Sequence, residues 1–156
     1  MSYIKTQKAS KGYFTPKNPE KYAGEYPIRI MSSWERSFMQ WCDMNSNVTY
    51  WSSEPLGIPY INPTKINSKR TGESRYYPDF LLKCKSKSGE EKVWLVEVKP
   101  YKDIISKTSK NKSKKTVLYE QKTQLINKAK FKAAKKYCDG KGWIFKLITE
   151  KELFGK

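Results

Sequence analysis

The chain has 156 residues, and 32 Lys and Arg against 15 Asp and Glu give it a formal charge of +17. That is far more than solubility requires and of the sign that recruits polyanions, nucleic acid first. The length fits one domain able to bury roughly two thirds of the surface its unfolded form exposes. With no histidine, mechanisms that use a His base or His ligand are excluded. Cys42, Cys84 and Cys138 are widely spaced and form no CxxC, so neither zinc nor a disulfide framework is indicated and a reducing compartment is expected. No apolar run approaches the ~18 residues of a membrane span, and Met-Ser-Tyr-Ile-Lys lacks a signal-peptide core. Charge alone fits equally a ribosomal-type or packaging protein that only coats nucleic acid.

Residues 1 to about 30 carry Lys5, Lys8, Lys11, Lys17, Lys21 and Arg29 among Gly, Pro and Tyr without sustained periodicity, which reads as a basic N-terminal arm before one domain over 31–156. Its lysines and aromatics either track a phosphate backbone or lie extended over the core. A helix is expected from Ser32, with Trp34, Phe38, Trp41 and Cys42 on a buried face. Ser32 with Glu35 fits the S-x-x-E capping box, and Asp43-Met44-Asn45 ends the helix. Short strands follow at 48–51 and 56–61, and Pro59 marks the second as an edge or a bulge. Asn62 to Arg75 reads as a basic loop, in which Lys65, Lys69, Arg70 and Arg75 either grip phosphate or form a solvated turn.

Tyr77 to Pro100 holds two β-type runs, Phe80 to Cys84 and Val93 to Val98, joined by a Ser/Gly-containing link of hairpin length. A hairpin folded about Ser88 sets Asp79 opposite Glu97, with Cβ atoms about 4.5–5.5 Å apart. Two such carboxylates repel unless neutralised, and a divalent metal would do so. Lys99 shares the Glu97 face by the period of two. An acidic residue two before a lysine also occurs at Glu90-Glu91-Lys92, Glu120-Gln121-Lys122 and Asp139-Gly140-Lys141. Only Glu97 ends a continuous apolar run with a Pro-Asp in matching register.

Beyond Pro100, Tyr101 to Lys115 is low in complexity and basic, with Lys110, Lys112, Lys114 and Lys115, and is expected to order on a polyanion. A helix over 116–138 should carry Leu118, Leu125, Ala129, Ala133 and Tyr137 near one face and stop at Gly140 and Gly142. A strand over 143–148 would close a βαβ-like crossover, followed by a short helix over 149–154.

Pro78-Asp79 with Glu97-Val98-Lys99 resembles the PD-(D/E)xK nuclease superfamily. Together with Ser33-Trp34-Glu35-x-x-Phe38-x-x-Trp41-x-Asp43 and Trp51-x-Ser53-Glu54-Pro55-x-x-Ile58-Pro59-Tyr60, the chain resembles the phage head completion nucleases and is similar to the endonuclease subunit of Tn7-type transposases. The resemblance implies an α/β, restriction-endonuclease-like core with a central mixed sheet flanked by helices. It also implies a DNA endonuclease using Mg²⁺, with Mn²⁺ substituting. Asp79, Glu97 and the Val98 carbonyl would hold the metal; Glu35 would join them or serve only as the capping residue. Lys99 would orient or help deprotonate the attacking water. Gln121 and Gln124 could supply a helical glutamine. The implied task is processing the packaged DNA end in the host cytoplasm or virion, with DNA and head, portal or packaging proteins as partners. Two alternatives stay open: a basic head protein that binds DNA on a nuclease fold without turnover, and an RNA-binding protein of ribosomal type.

Overall fold

A computed structural model of the chain describes residues 12–104 and 112–154. Its centre is a four-stranded sheet of β3 (Val48–Ser53), β6 (Phe80–Lys85), β7 (Glu91–Val98) and β8 (Ile144–Ile148), in that spatial order. β3 and β6 pair antiparallel, as do β6 and β7, whereas β7 and β8 run parallel, so the sheet is mixed. The parallel pair is joined by the long helix α3 (Lys114–Lys141), the expected crossover. The β6–β7 register runs from Phe80↔Val96 to Lys85↔Glu91, centred on Ser88 as anticipated.

Both faces of the sheet are covered, so alternate residues of β7 enter different cores. Val96 joins Phe38, Met39, Trp51, Phe80 and Leu82 beneath helix α1 (Ser33–Met44). Leu95 joins Ile58, Tyr76, Ala134 and Cys138 beneath α3. Burial on both sides explains why β7 is an unbroken apolar run rather than an alternating one.

Helix α1 begins at Ser32, whose Oγ accepts the Glu35 N–H at 3.1 Å. Its inward stripe is Phe38, Met39 and Cys42, with Asp43 also buried. Trp34 is half-buried and Trp41 is 47% exposed, which corrects the expected face. The two tryptophans sit to one side of the stripe that meets the sheet, so helical spacing identifies a set of residues but not where its centre points.

Over its described part the N-terminal stretch follows the second of its two readings and lies over the core. β1 (Gly12–Phe14) pairs with β2 (Ile28–Ile30), and Ile28, Ile30 and Tyr22 lie in the first core. Two polar groups fasten this segment to the end of α1. Buried Asp43 accepts the Lys17 N–H at 2.8 Å and the Asn18 N–H at 3.0 Å. Lys21 Nζ donates to the Cys42, Asp43 and Asn45 carbonyls at 2.7–2.9 Å, satisfying groups that a helix C-terminus leaves open. Residues 1–11, with Lys5, Lys8 and Lys11, lie outside the described residues.

The stretch over 62–75 is a hairpin rather than a loop. β4 (Ile58–Asn67) pairs antiparallel with β5 (Arg70–Tyr76), with a register shift between Ile61 and Ile66. Asn67 Oδ1 accepts the Lys69 N–H at 2.8 Å and closes the turn. At the bulge, buried Asn62 accepts the backbone N–H and the hydroxyl of Thr64. Gly72, at φ +82°, packs so closely that a Cβ there would lie 2.7 Å from the Asn62 carbonyl oxygen. Pro59 stands in a two-stranded ribbon, where both strands are edges.

Helix α3 is longer than expected. Ser113 caps it through the Thr116 N–H at 3.2 Å, Gly140 is carried inside it, and Gly142 alone ends it at φ +73°. Its inward line is Asn127, Phe131, Ala134 and Cys138, leaving Leu118 and Leu125 exposed. After Pro100 the chain forms a short helix, α2 (Tyr101–Ile104), where a basic loop was expected, and 105–111 fall outside the described residues. A last helix, α4 (Glu150–Phe154), is started by Thr149, whose N–H and hydroxyl both donate to Glu152 Oε2.

Asp43→Ala should cost about 3 kcal/mol, because two backbone donors lose a charged acceptor in a buried setting. A urea melt should show a lower midpoint at unchanged slope. An unaltered midpoint would mean that Asp43 does not hold the N-terminal segment.

Candidate active site

Asp79 lies one residue before β6, and Glu97 is the penultimate residue of β7. Continuing the observed register by one step sets them opposite each other. The Asp79 backbone is fixed by the Glu54 N–H, which donates to its carbonyl at 2.8 Å, and its side chain by the Val98 N–H, which donates to Oδ2 at 2.8 Å. Glu97 is buried, and its Oε1 accepts the Tyr76 hydroxyl at 2.8 Å. Lys99 Nζ stands 3.8 Å from Glu97 Oε2, and its backbone N–H donates to the Ile148 carbonyl of β8 at 2.9 Å. Asp79, Glu97 and Lys99 therefore converge at one end of the sheet.

Glu35 arrives from the first turn of α1. Its Oε2 accepts the Met31 N–H at 3.3 Å, one residue earlier than the Ser32 amide that a regular capping box would use. The same carboxylate feels the charge of Asp79, so the capping role and proximity to the site coexist in one side chain.

Burial raises all three carboxylates of the site, and the cations nearby offset the shift only in part. Burial and the Glu97 charge push Asp79 up to about 7, against the Val98 N–H and Lys99. Burial and the Asp79 charge likewise push Glu35 up to about 7. Glu97 is also raised, chiefly by burial, although Tyr76, Lys99 and Lys130 oppose the shift. Carboxylate oxygens gathered at one end of the sheet, and held there chiefly against the cost of burial, match the ligand preference of a hard divalent ion such as Mg²⁺. Among the described residues no three of His, Cys, Asp and Glu form a closed ligand group. The donor set thus suits an ion that binds through one or two carboxylates and keeps much of its water.

Two residues of this site escaped the sequence reading. Tyr76 ends β5, a strand hidden within a stretch that reads as a loop; its hydroxyl is pushed up by burial and by the adjacent Glu97. Lys130 projects from α3 to within 5.6 Å of the Tyr76 ring centroid and interacts with both Lys99 and Glu97. Burial, then the Lys99 charge, hold its ammonium below the usual range. Its signal in the sequence was its place between Asn127 and Ala134 on the inward face of the helix. Of the two glutamines, Gln121 is exposed and Gln124 half-buried, both N-terminal to Lys130.

The other basic residues form two separate groups. Lys65, Lys69, Arg70 and Arg75 are exposed on the β4–β5 hairpin, whose last residue, Tyr76, holds Glu97. Lys112, Lys114 and Lys115 are exposed at the start of α3, about 24 Å along the helix axis from Lys130. Lys112 is already paired with Glu120 at 2.6 Å, and Lys110 lies outside the described residues.

The raised carboxylates make stability depend on pH. Between pH about 4 and 7 the folded protein retains an Asp79 proton that the unfolded chain has released, so stability falls as pH climbs through this window. Asp79→Asn removes that penalty. Thermal melts in EDTA should show the variant more stable than wild type by a few degrees at pH 8 and little different at pH 4. Equal differences at the two pH values would contradict the shift.

The TnsA-like endonuclease N-terminal family matches residues 45–150, a span that includes Tyr76, Asp79, Glu97, Lys99 and Lys130. The head completion nuclease of Enterobacteria phage T4 is 33% identical over 147 residues, covering 91% of this chain and 92% of that protein. With a family match over two thirds of its length and 33% identity to the T4 protein over 91% of it, the chain belongs to the TnsA-like endonuclease family.

Proposed function

We propose that this protein is a divalent-metal-dependent DNA endonuclease that processes the packaged DNA end during phage head completion. The observation that carries the reading is the opposition of Asp79 and Glu97 in the β6–β7 register, with Lys99 beside them. The similarity to a head completion nuclease supports the biological setting.

Asp79 and Glu97, with the Val98 carbonyl, would hold Mg²⁺ or Mn²⁺, and Glu35 would complete the site. When bound, the ion would polarise the scissile phosphodiester and offset charge on the leaving oxygen. Tyr76 holds one oxygen of Glu97, which keeps the other turned toward Lys99. The Lys99 ammonium would orient the attacking water and stabilise the charge that grows on the phosphate. Lys130 adds a second cation from α3 and would strengthen the same field. Lys65, Lys69, Arg70 and Arg75, with Lys110, Lys112, Lys114 and Lys115, would grip backbone phosphates, giving salt-sensitive binding with little base preference.

Linear and supercoiled plasmid incubated with Mg²⁺, Mn²⁺ or EDTA tests the reading. Cleavage should require a metal and fall at least about 1000-fold in Asp79→Ala and Lys99→Ala, while DNA binding persists. Full activity in either variant would remove the proposed site, and binding without cleavage in any metal would favour a DNA-binding head protein. Tyr76→Phe should lower activity about 10- to 100-fold, with partial recovery at higher metal concentration, as expected for a residue that orients a ligand.

A further inference from the structure

On the opposite face of the sheet from Glu97 lies a cleft of about 540 Å³ between α1, the β6–β8 strands and α4. Leu82, Val96, Ile148 and Leu153 line its apolar part, together with Trp94 from the sheet and Trp41 from α1. Val96 and Trp94 alternate along β7 with Leu95 and Glu97, so nucleic acid at the active site would leave this cleft uncovered. Trp41 is one of the tryptophans whose spacing called for burial, and it remains 47% exposed here.

Three lysines edge the cleft: Lys85, Lys92 and Lys146, the last with Nζ 5.6 Å from the Trp94 ring centroid. None of the three forms an ion pair among the described residues. Among the described residues Glu152 is the one carboxylate lining the cleft; it uses Oε2 to cap α4 and feels the Lys146 charge. Both serine hydroxyls there are also engaged, Ser37 with the Ser33 carbonyl and Ser86 with Ser88.

We propose that this cleft docks an acidic segment of a partner protein, which inserts apolar side chains between Trp41 and Trp94 and sets carboxylates against Lys85, Lys92 and Lys146. A nucleobase fits the cleft less well, because its polar edge would enter an apolar floor whose hydroxyls are already used. A second copy of this chain would bring +17 against +17 and lysine against lysine. An acidic peptide with aliphatic or aromatic anchors satisfies both the floor and the rim.

A displayed library of random 12-residue peptides, selected on the intact protein in EDTA with saturating duplex oligonucleotide, tests this without relying on nuclease activity. Enriched sequences should combine Asp or Glu with Leu, Ile, Phe or Trp. The synthetic winner should shift tryptophan fluorescence and bind at least 10-fold more weakly to Lys146→Glu and to Trp41→Ser. Lys69→Glu, on the distant hairpin, should bind it like wild type, and Lys146→Glu should retain the plasmid cleavage of wild type. The proposal is overturned if no sequence is enriched, if an equally acidic peptide lacking the anchors binds as tightly, or if the cleft variants bind like wild type. Displacement of the peptide by single-stranded oligothymidylate would overturn it in favour of a nucleic-acid site.

Discussion

The pairing of β6 with β7 forces two carboxylates into a place where the protein offers them few compensating charges. Backbone hydrogen bonding sets the register, and the register sets Asp79 against Glu97 whether or not that contact is favourable. Burial first, and for Asp79 the facing Glu97 charge, raise the pair; the Val98 N–H on Asp79 and the Lys99 ammonium 3.8 Å from Glu97 offset only part of that shift. Such a site has lower stability than an apolar one would have. It persists because the strands that create it are buried on both faces and cannot slip without turning Leu95 and Val96 into the wrong cores.

Two cores, one on each face, immobilise that strand pair. The first core clamps it under α1 and the N-terminal segment, and the second clamps it under α3 and the β4–β5 ribbon. Each clamp also delivers a side chain to the site: Glu35 from one, Tyr76 and Lys130 from the other. The packing elements and the chemical elements are therefore the same pieces. A change in how α3 seats on the sheet would move Lys130 and the Tyr76 ring together.

The central hairpin was legible because two constraints agree: a period of two and a turn of defined length leave one register in which both apolar runs pair. The start of α1 was legible for a similar reason, since Ser32 and Glu35 stand at capping distance before a helical stripe. What escaped was structure that depends on partners remote in sequence. The stretch from Asn62 to Arg75 is polar on both faces, and its strands exist through pairing with each other rather than through an apolar pattern. Missing that ribbon meant missing Tyr76. Lys130 was hidden in a different way, as one lysine among many, distinguished only by facing inward. Trp41 shows the reverse case: a large apolar residue at helical spacing is not necessarily buried.

The parallel strand β8 has a consequence for when the site can exist. Lys99 leaves β7 with its amide bonded to the Ile148 carbonyl, and Lys130 reaches the carboxylates only once α3 has crossed back over the sheet. Asp79, Glu97 and Lys99 can meet in a local hairpin early in synthesis, but the Ile148 carbonyl that fixes the Lys99 backbone and the approach of Lys130 wait for α3 and β8. A nascent chain therefore holds the carboxylates before the groups that fix and complete their cationic surroundings, and the finished site requires the chain through residue 148.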